Sequence, residues 1–251
     1  MPLLSVWITA YNHEKYIEET LNSVLAQQTN FEFDIVLGED GSIDNTRKIV
    51  LEYHKKYPGK FKLFLPDRNL GMLGITQPTF EMCTGKYIAF LDGDDYWTDP
   101  LKLQKQVDLL ESNPDISFCF HNAKVFYQKT GDFSFEPYTE DCFFSEKGLT
   151  TEDLLELGNR VWTLSVVMRN FPGSKLPSWF YTLPFPDLGM YYLLVRQGKG
   201  KYIDEVMGVY RSHDKGAWTG ETDYNNAIMM FPGSLFAGML NYQQITVLSS
   251  T

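Results

Sequence analysis

The sequence predicts an α/β protein with an open, mixed but mostly parallel sheet and helices on both faces. Three observations lead there. Short apolar runs alternate with segments of helical spacing from Leu3 to Ser112. The runs are five to seven residues long, the length of a strand and too short for a core helix. Three of them end in polar or acidic turns, the place where open α/β sheets bind ligands.

The elements follow in order. Leu3 to Thr9 reads as a strand opening into the turn Tyr11-Asn12-His13-Glu14, and Ile17, Leu21, Val24 and Leu25 then keep helical spacing. Phe33 to Leu37 is a second strand, broken at Gly38-Glu39-Asp40-Gly41; Asp44 caps a helix with Ile49, Val50 and Tyr53 on one face. Phe61 to Leu65 is a third strand, and a loop with Gly71 and Gly74 leads to a helix around Gln77 to Met82. Tyr87 to Leu91 is the fourth strand and runs into Asp92-Gly93-Asp94-Asp95. Pro100 opens a long helix to Ser112, since its fixed φ suits a first turn.

The second half is less regular. Ile116 to Phe120, Lys124 to Tyr127 and Leu164 to Met168 are strand-like, and Gly131 to Phe144 is an aromatic, acidic loop. Thr150 caps a short helix with Asp153 three residues on. Asn170 to Pro186 is an irregular loop with four prolines, Asp187 to Gln197 a helix ended by Gly198, and Lys201 to Tyr210 one or two short strands. Residues 1–220 read as one domain, with 1–112 and 113–220 as its halves. Residues 221–251 form a tail expected to be helical and a candidate homo-oligomer contact.

The chain has 251 residues, 22 Lys and Arg against 32 Asp and Glu, and a net charge of −10. That balance argues against a broad nucleic-acid face or a polybasic membrane anchor. It leaves room for a phosphate-bearing ligand, because a bound cation reverses the local sign. Three cysteines (Cys83, Cys119, Cys142) without CxxC spacing read as reduced thiols. The start of the chain carries no basic region and no long apolar run, so the expected location is cytoplasmic or peripheral at the inner face of the membrane.

The sharpest feature is the apolar strand YIAFL leading into three acids. Two unit charges about 5 Å apart repel by about 3 kcal/mol at an effective dielectric of 20. Carboxylates gathered at one strand end therefore favour a divalent cation, and hard oxygen ligands suit Mg²⁺ or Mn²⁺. A solvated acidic turn is the plain alternative. An EF-hand starting at Asp92 fails, because Trp97 stands where glycine is needed and Leu103 where the bidentate acid is needed. A P-loop ending at Gly85-Lys86 fails at Phe80 and Tyr87, and no GxGxxG follows a strand.

The segments SVWITAYNHEKYIEETLNSVLAQ, DIVLGEDGSIDNT, RNLG and GKYIAFLDGDDYWTDPLKLQKQV occur in an order that resembles inverting glycosyltransferases of family 2. Those enzymes have the GT-A fold, a Rossmann-like α/β arrangement, and use nucleotide-sugar donors. The resemblance is strong over residues 3–112. It continues more weakly through SVVMRN, the Asp187 helix and YIDEVMGVYRSHDKGAW.

The resemblance implies roles for individual residues. Thr9, Ala10 and Tyr11 would cradle the base, with Tyr11 stacking on it and Asp40 accepting its N–H. Arg68 would lie near the nucleotide. Asp92 would bond the ribose and Asp94 hold the Mn²⁺ or Mg²⁺ that bridges the diphosphate, with Asp95 and Glu14 in support. Asp187 matches the position of the base that deprotonates the acceptor; an ordinary helix N-cap is the competing reading. Tyr210-Arg211-Ser212-His213 resembles a loop closing over the diphosphate. There Arg211 would clamp a phosphate, and His213 would bind metal or phosphate or be an ordinary surface histidine. Trp218 would offer a flat wall to an acceptor, or simply pack. His13, His54 and His121 lack ligand spacing and read as structural.

The implied reaction moves a sugar from a nucleoside-diphosphate sugar to an acceptor hydroxyl with inversion, in surface polysaccharide or glycoconjugate synthesis. A UDP-sugar is the favoured donor, with GDP- or dTDP-sugars as alternatives. The acceptor is a carbohydrate, a lipid-linked oligosaccharide or a protein, and no nucleic acid is involved. A non-catalytic nucleotide-sugar-binding scaffold and a metal-dependent phosphohydrolase are the competing functions.

Overall fold

The computed structural model describes residues 2–135, 148–151, 153, 161–171, 173, 175–183, 186–214 and 216. The expected tail, Trp218 and Cys142 lie outside these residues.

Among the described residues nine strands form one sheet: β1 (Leu4–Ala10), β2 (Phe33–Glu39), β3 (Phe61–Phe64), β4 (Tyr87–Asp92), β5 (Tyr96–Trp97), β6 (Ile116–Tyr127), β7 (Asp132–Ser134), β8 (Val167–Arg169) and β9 (Lys199–Ser212). Their order is β3-β2-β1-β4-β8-β6-β9-β5, with β7 paired to β6. The first four strands are parallel, as is the long β6–β9 pair; β8 joins the two parts antiparallel to both β4 and β6. The sheet is mixed, and most of its paired length is parallel.

Helices α1 (Ile17–Leu25), α2 (Thr46–Lys56), α3 (Gly71–Met82), α4 (Lys102–Ser112) and α5 (Pro186–Val195) cover its two faces. In α1, Ile17, Leu21 and Val24 recur at helical spacing and are fully buried, while Glu18 and Glu19 sit in the first turn, where the helix dipole favours acids. With α2 and α4 they cover one face, meeting Leu4, Val6 and Ile8 of β1. On the other face α3 and α5 pack through Phe80, Met190 and Tyr191 against Val36, Ile88 and Phe90. Each fully buried Leu or Phe contributes about 1.5–3 kcal/mol, so both layers are anchored by side chains that the strand pattern already exposes.

Several boundaries differ from the sequence expectation. Helix α3 begins at Gly71 rather than near Gln77, because both Asp40 carboxylate oxygens accept backbone N–H groups at its start, Leu70 at 2.8 Å and Gly71 at 3.0 Å. The runs at 116–120 and 124–127 are one strand, β6; the polar His121-Asn122 pair that interrupts the apolar pattern marks a shift in its register with β9. Part of the expected 131–144 loop is β7. The expected strand at Leu164 starts as a 3₁₀ turn, Thr163–Ser165, and becomes β8 only at Val167. The expected Lys201–Tyr210 segment is a single 14-residue strand. The Thr150 and Asp153 side chains do bond each other's backbone N–H, Thr150 N to Asp153 Oδ2 at 2.7 Å and Asp153 N to Thr150 Oγ1 at 3.4 Å.

Among the described residues no helix is long and apolar enough to cross a membrane. Cys83 and Cys119 are both buried, and burial pushes the Cys119 thiol up to about 12.

Candidate functional site

A cavity of about 390 Å³ opens at the carboxyl ends of β1, β2 and β4. Its lining includes Thr9, Ala10, Tyr11, Asp40, Asp92, Asp94 and Asp187, seven of the residues singled out in the sequence. Strand register explains the grouping: Thr9 stands opposite Asp92, and its hydroxyl donates to Asp92 Oδ1 at 3.3 Å. The turn after β4 folds back onto β1, where Gly93 N–H donates to Thr9 O at 2.9 Å. Gly93 is required there. A Cβ would sit 2.8 Å from both Ala10 Cβ and His13 Nδ1.

The three acids of that turn have separate surroundings. Burial, with repulsion from Asp94 and Asp187, pushes the Asp92 carboxyl up to about 7. Burial alone would also raise Asp94, but His13 and His213 outweigh it and hold its carboxyl below the usual range. His213 Nε2 lies 2.9 Å and His13 Nε2 3.6 Å from the same Asp94 Oδ2. Asp95 faces inward: its Oδ1 accepts the Arg211 backbone N–H at 2.8 Å, and burial raises its carboxyl well above the usual value. Thr20 Oγ1 lies 2.7 Å from Asp95 O and 3.0 Å from Gly93 O, tying the turn to α1.

Asp187 lies in the first turn of α5, on the opposite wall. Burial pushes its carboxyl up to about 6, offset in part by the Thr163 hydroxyl, which donates to Oδ2 at 3.4 Å. The helix begins one residue before it, so Asp187 sits within the first turn rather than at the N-cap position.

Other sequence candidates have different settings. Arg211 is almost fully buried and acts as a brace rather than a free phosphate clamp. Its guanidinium donates to Asp94 O at 2.8 Å, Gln128 Oε1 at 3.0 Å and Glu19 Oε2 at 2.5 Å, stacked near Tyr16 and Tyr96. Glu14 does not line the cavity; its Oε2 accepts the backbone N–H of Asn45 at 3.0 Å and the side-chain amide at 2.9 Å, joining two loops. Arg68 is exposed outside the lining, on a loop that packs against Gly41. Gly41 has φ 67°, and a Cβ there would lie 2.5 Å from Arg68 C. Cavity residues without an assigned role in the sequence reading include His13, which read as structural, and Thr163. The one available signal was that His13 lies in the polar turn directly after β1.

Among the described residues no cluster of three His, Cys, Asp or Glu side chains forms a ready cation cage. The donor chemistry still fits Mn²⁺ or Mg²⁺. One carboxylate oxygen faces two imidazole nitrogens at the cavity edge, and His13 Nδ1 is buried without a partner. Such ions are commonly held by one or two protein carboxylates, with substrate phosphates and water completing the set.

The glycosyl transferase family 2 profile matches residues 5–170. The chain belongs to this family. It is 36% identical over 220 residues to the Mycobacterium bovis protein Mb1547, covering 86% of this chain and 60% of that one. A second relative is the Escherichia coli UDP-Glc:alpha-D-GlcNAc-diphosphoundecaprenol beta-1,3-glucosyltransferase WfgD, 33% identical over 123 residues, 49% of this chain and 46% of that one. The fold is similar to that of the mannosyltransferase PcManGT from Pyrobaculum calidifontis in complex with GDP-Man and Mn²⁺. That structure has a TM-score of 0.65 and 16% identity, covering 86% of this family 2 chain and 59% of its own. The likeness shows the GT-A fold. The chain spans about 60% of the length of the Mycobacterium relative.

Proposed function

We propose that this glycosyltransferase moves a sugar from a nucleoside-diphosphate sugar to an acceptor hydroxyl with inversion at the anomeric carbon. The observation carrying the proposal is a cavity lined both by Asp92 and Asp94, at the end of β4 and in the turn after it, and by Asp187, at the head of α5. Tyr11, partly exposed at the rim, offers a face for the base. Asp40 keeps lone pairs for a ring N–H while its carboxylate orders the start of α3. Thr9 orients Asp92 toward the ribose or sugar hydroxyls.

Asp94 and His213 would hold Mn²⁺ or Mg²⁺, which when bound supplies positive charge to the leaving diphosphate. Asp187 takes the proton of the acceptor hydroxyl. As it does, the acceptor oxygen bonds to the anomeric carbon, and the bond from that carbon to the phosphate oxygen breaks. A carboxyl lifted to about 6 by burial is a stronger base than an exposed one, yet remains largely ionised at pH 7. A UDP-sugar is the favoured donor, with GDP- or dTDP-sugars as alternatives. The names of the relatives support nucleotide-sugar use: one cites UDP-Glc, and the archaeal structure holds GDP-Man with Mn²⁺. Surface polysaccharide or glycoconjugate synthesis is the setting, with a carbohydrate, lipid-linked or protein acceptor.

The test is purified protein with UDP-, GDP- and dTDP-sugars, with Mn²⁺ or EDTA, following release of nucleoside diphosphate. Metal-dependent release that Asp94→Ala abolishes is expected. Donor binding that survives EDTA unchanged would remove the metal from the scheme.

A further inference from the structure

The cavity has two chemically different ends. Thr9 and Asp92 face each other across β1 and β4, and two residues earlier in the same register stand Trp7 and Phe90. Side chains alternate along a strand, so both pairs share a face, and the second lies about 6.6 Å deeper at about 3.3 Å per residue. Trp7 keeps accessible surface although β1 is an interior strand, because the cavity reaches it. Phe180, Met190 and Tyr191, on the α5 side, line the same cavity, as does Ile75 of α3, which packs over Gly38 beside Thr9. Met190 lies three residues after Asp187, on the same helix face and about one turn further along α5, and both line the cavity.

The polar hydrogens at the deep end are already committed. Trp7 Nε1–H donates to Thr79 Oγ1 at 2.8 Å, and the Thr79 hydroxyl lies 2.6 Å from Ile75 O. The Thr76 hydroxyl donates to Met72 O at 2.6 Å. One level up, by contrast, the Asp92 and Asp187 carboxylates are available to accept from hydroxyls.

We propose that the apolar end receives a methyl group carried by the donor sugar, so that this enzyme prefers a methyl-bearing sugar over a fully hydroxylated one. The inference rests on the nucleotide-sugar reading. With the base at Tyr11 and the anomeric carbon facing Asp187, the sugar lies above the Trp7–Phe90 floor. Its hydroxyls meet carboxylates, and one substituent points down among apolar side chains. A hydroxyl buried there gives up water for poor partners, whereas a methyl gains by leaving water. The methyl comes from C6 of a 6-deoxyhexose or from an acetamido group.

Paired donors of one nucleotide separate these sources. UDP-glucose is compared with UDP-6-deoxyglucose and with UDP-N-acetylglucosamine, and GDP-mannose with GDP-6-deoxymannose, measuring Kd by calorimetry with Mn²⁺ and UDP or GDP alone as reference. At least one methyl-bearing donor is expected to bind about tenfold or more tightly than its hydroxylated counterpart, and the winning arm names the source. Met190→Gln, which brings an amide to the floor at similar volume, is expected to shrink that ratio to about twofold. Equal affinities across every pair, with UDP or GDP itself bound, would overturn the proposal and leave the transferase reading standing. Failure of any nucleotide to bind would overturn both.

Discussion

In the proposed mechanism Asp187 activates the acceptor, and its setting gives two measurable consequences. With Asn in its place the cavity keeps its shape, so donor affinity should stay within about twofold while transfer falls by about 10²–10⁴. Full transfer by Asp187→Asn would take this side chain out of the mechanism. The base works only when ionised, so transfer in the native protein should fall as pH drops through about 6. The same shift affects stability with the opposite sense. A buried acid whose folded value is about 6, against the usual 3.8, binds its proton more tightly in the folded state. That contribution is fully present below about pH 4 and is lost as pH rises through 6. Metal-free Asp187→Asn should therefore be more stable than the native protein at pH 8, by up to about 3 kcal/mol, with no difference near pH 3. Denaturant melts at both values check this. The residue stands out in the sequence because it follows a proline-rich loop and opens a helix. Its Thr163 partner does not, since an isolated threonine before an apolar run carries no pattern; only the turn entering β8 brings it close.

Among the elements, the turn between β4 and β5 is the most constrained. Gly93→Ala would drive a methyl into Ala10 and His13. The expected cost is about 1–3 kcal/mol, together with weakened Mn²⁺-dependent donor binding, read by calorimetry; binding equal to the native protein would show that the turn yields without cost. Arg211→Ala should act on the same turn from β9. Removing a buried guanidinium that holds Asp94 O and Glu19 should lower stability by about 2–4 kcal/mol and weaken donor binding through position rather than charge. Rescue by Lys should be partial, since one ammonium cannot reproduce three diverging N–H bonds. Strands β1, β2 and β4 were legible because each is an apolar run ending in polar residues. β5 was not, as two residues make no period, and α3 was obscured by Gly71 and Gly74, whose weak helix propensity is overridden by the Asp40 carboxylate at the helix start. His13 was discounted because no other histidine stands at ligand spacing from it in sequence; it meets His213 only through the fold, with ring centroids 6.3 Å apart.

The whole molecule joins a parallel half that supplies Thr9, Asp40, Asp92 and Asp94 to a second half that supplies Asp187 and His213. A ligand touching both halves stabilises the folded state by mass action. UDP with Mn²⁺ at about 100 times Kd should add about 2.7 kcal/mol, raising Tm by about 5–10 °C for a domain of this size. UDP in EDTA should give a smaller rise; an equal rise would mean the cation plays no part in donor binding.

Strand β9 brings a further consequence, one of timing. It runs from the far end of β6 and delivers Arg211, and then His213, to the turn that was synthesised more than a hundred residues earlier. On a ribosome adding about 5–20 residues per second, Asp94 waits about 6–24 s for its histidine. A nascent chain that ends before β9 therefore carries Thr9, Asp92 and Asp94 but lacks Arg211 and His213, the partners that hold the turn in the complete fold.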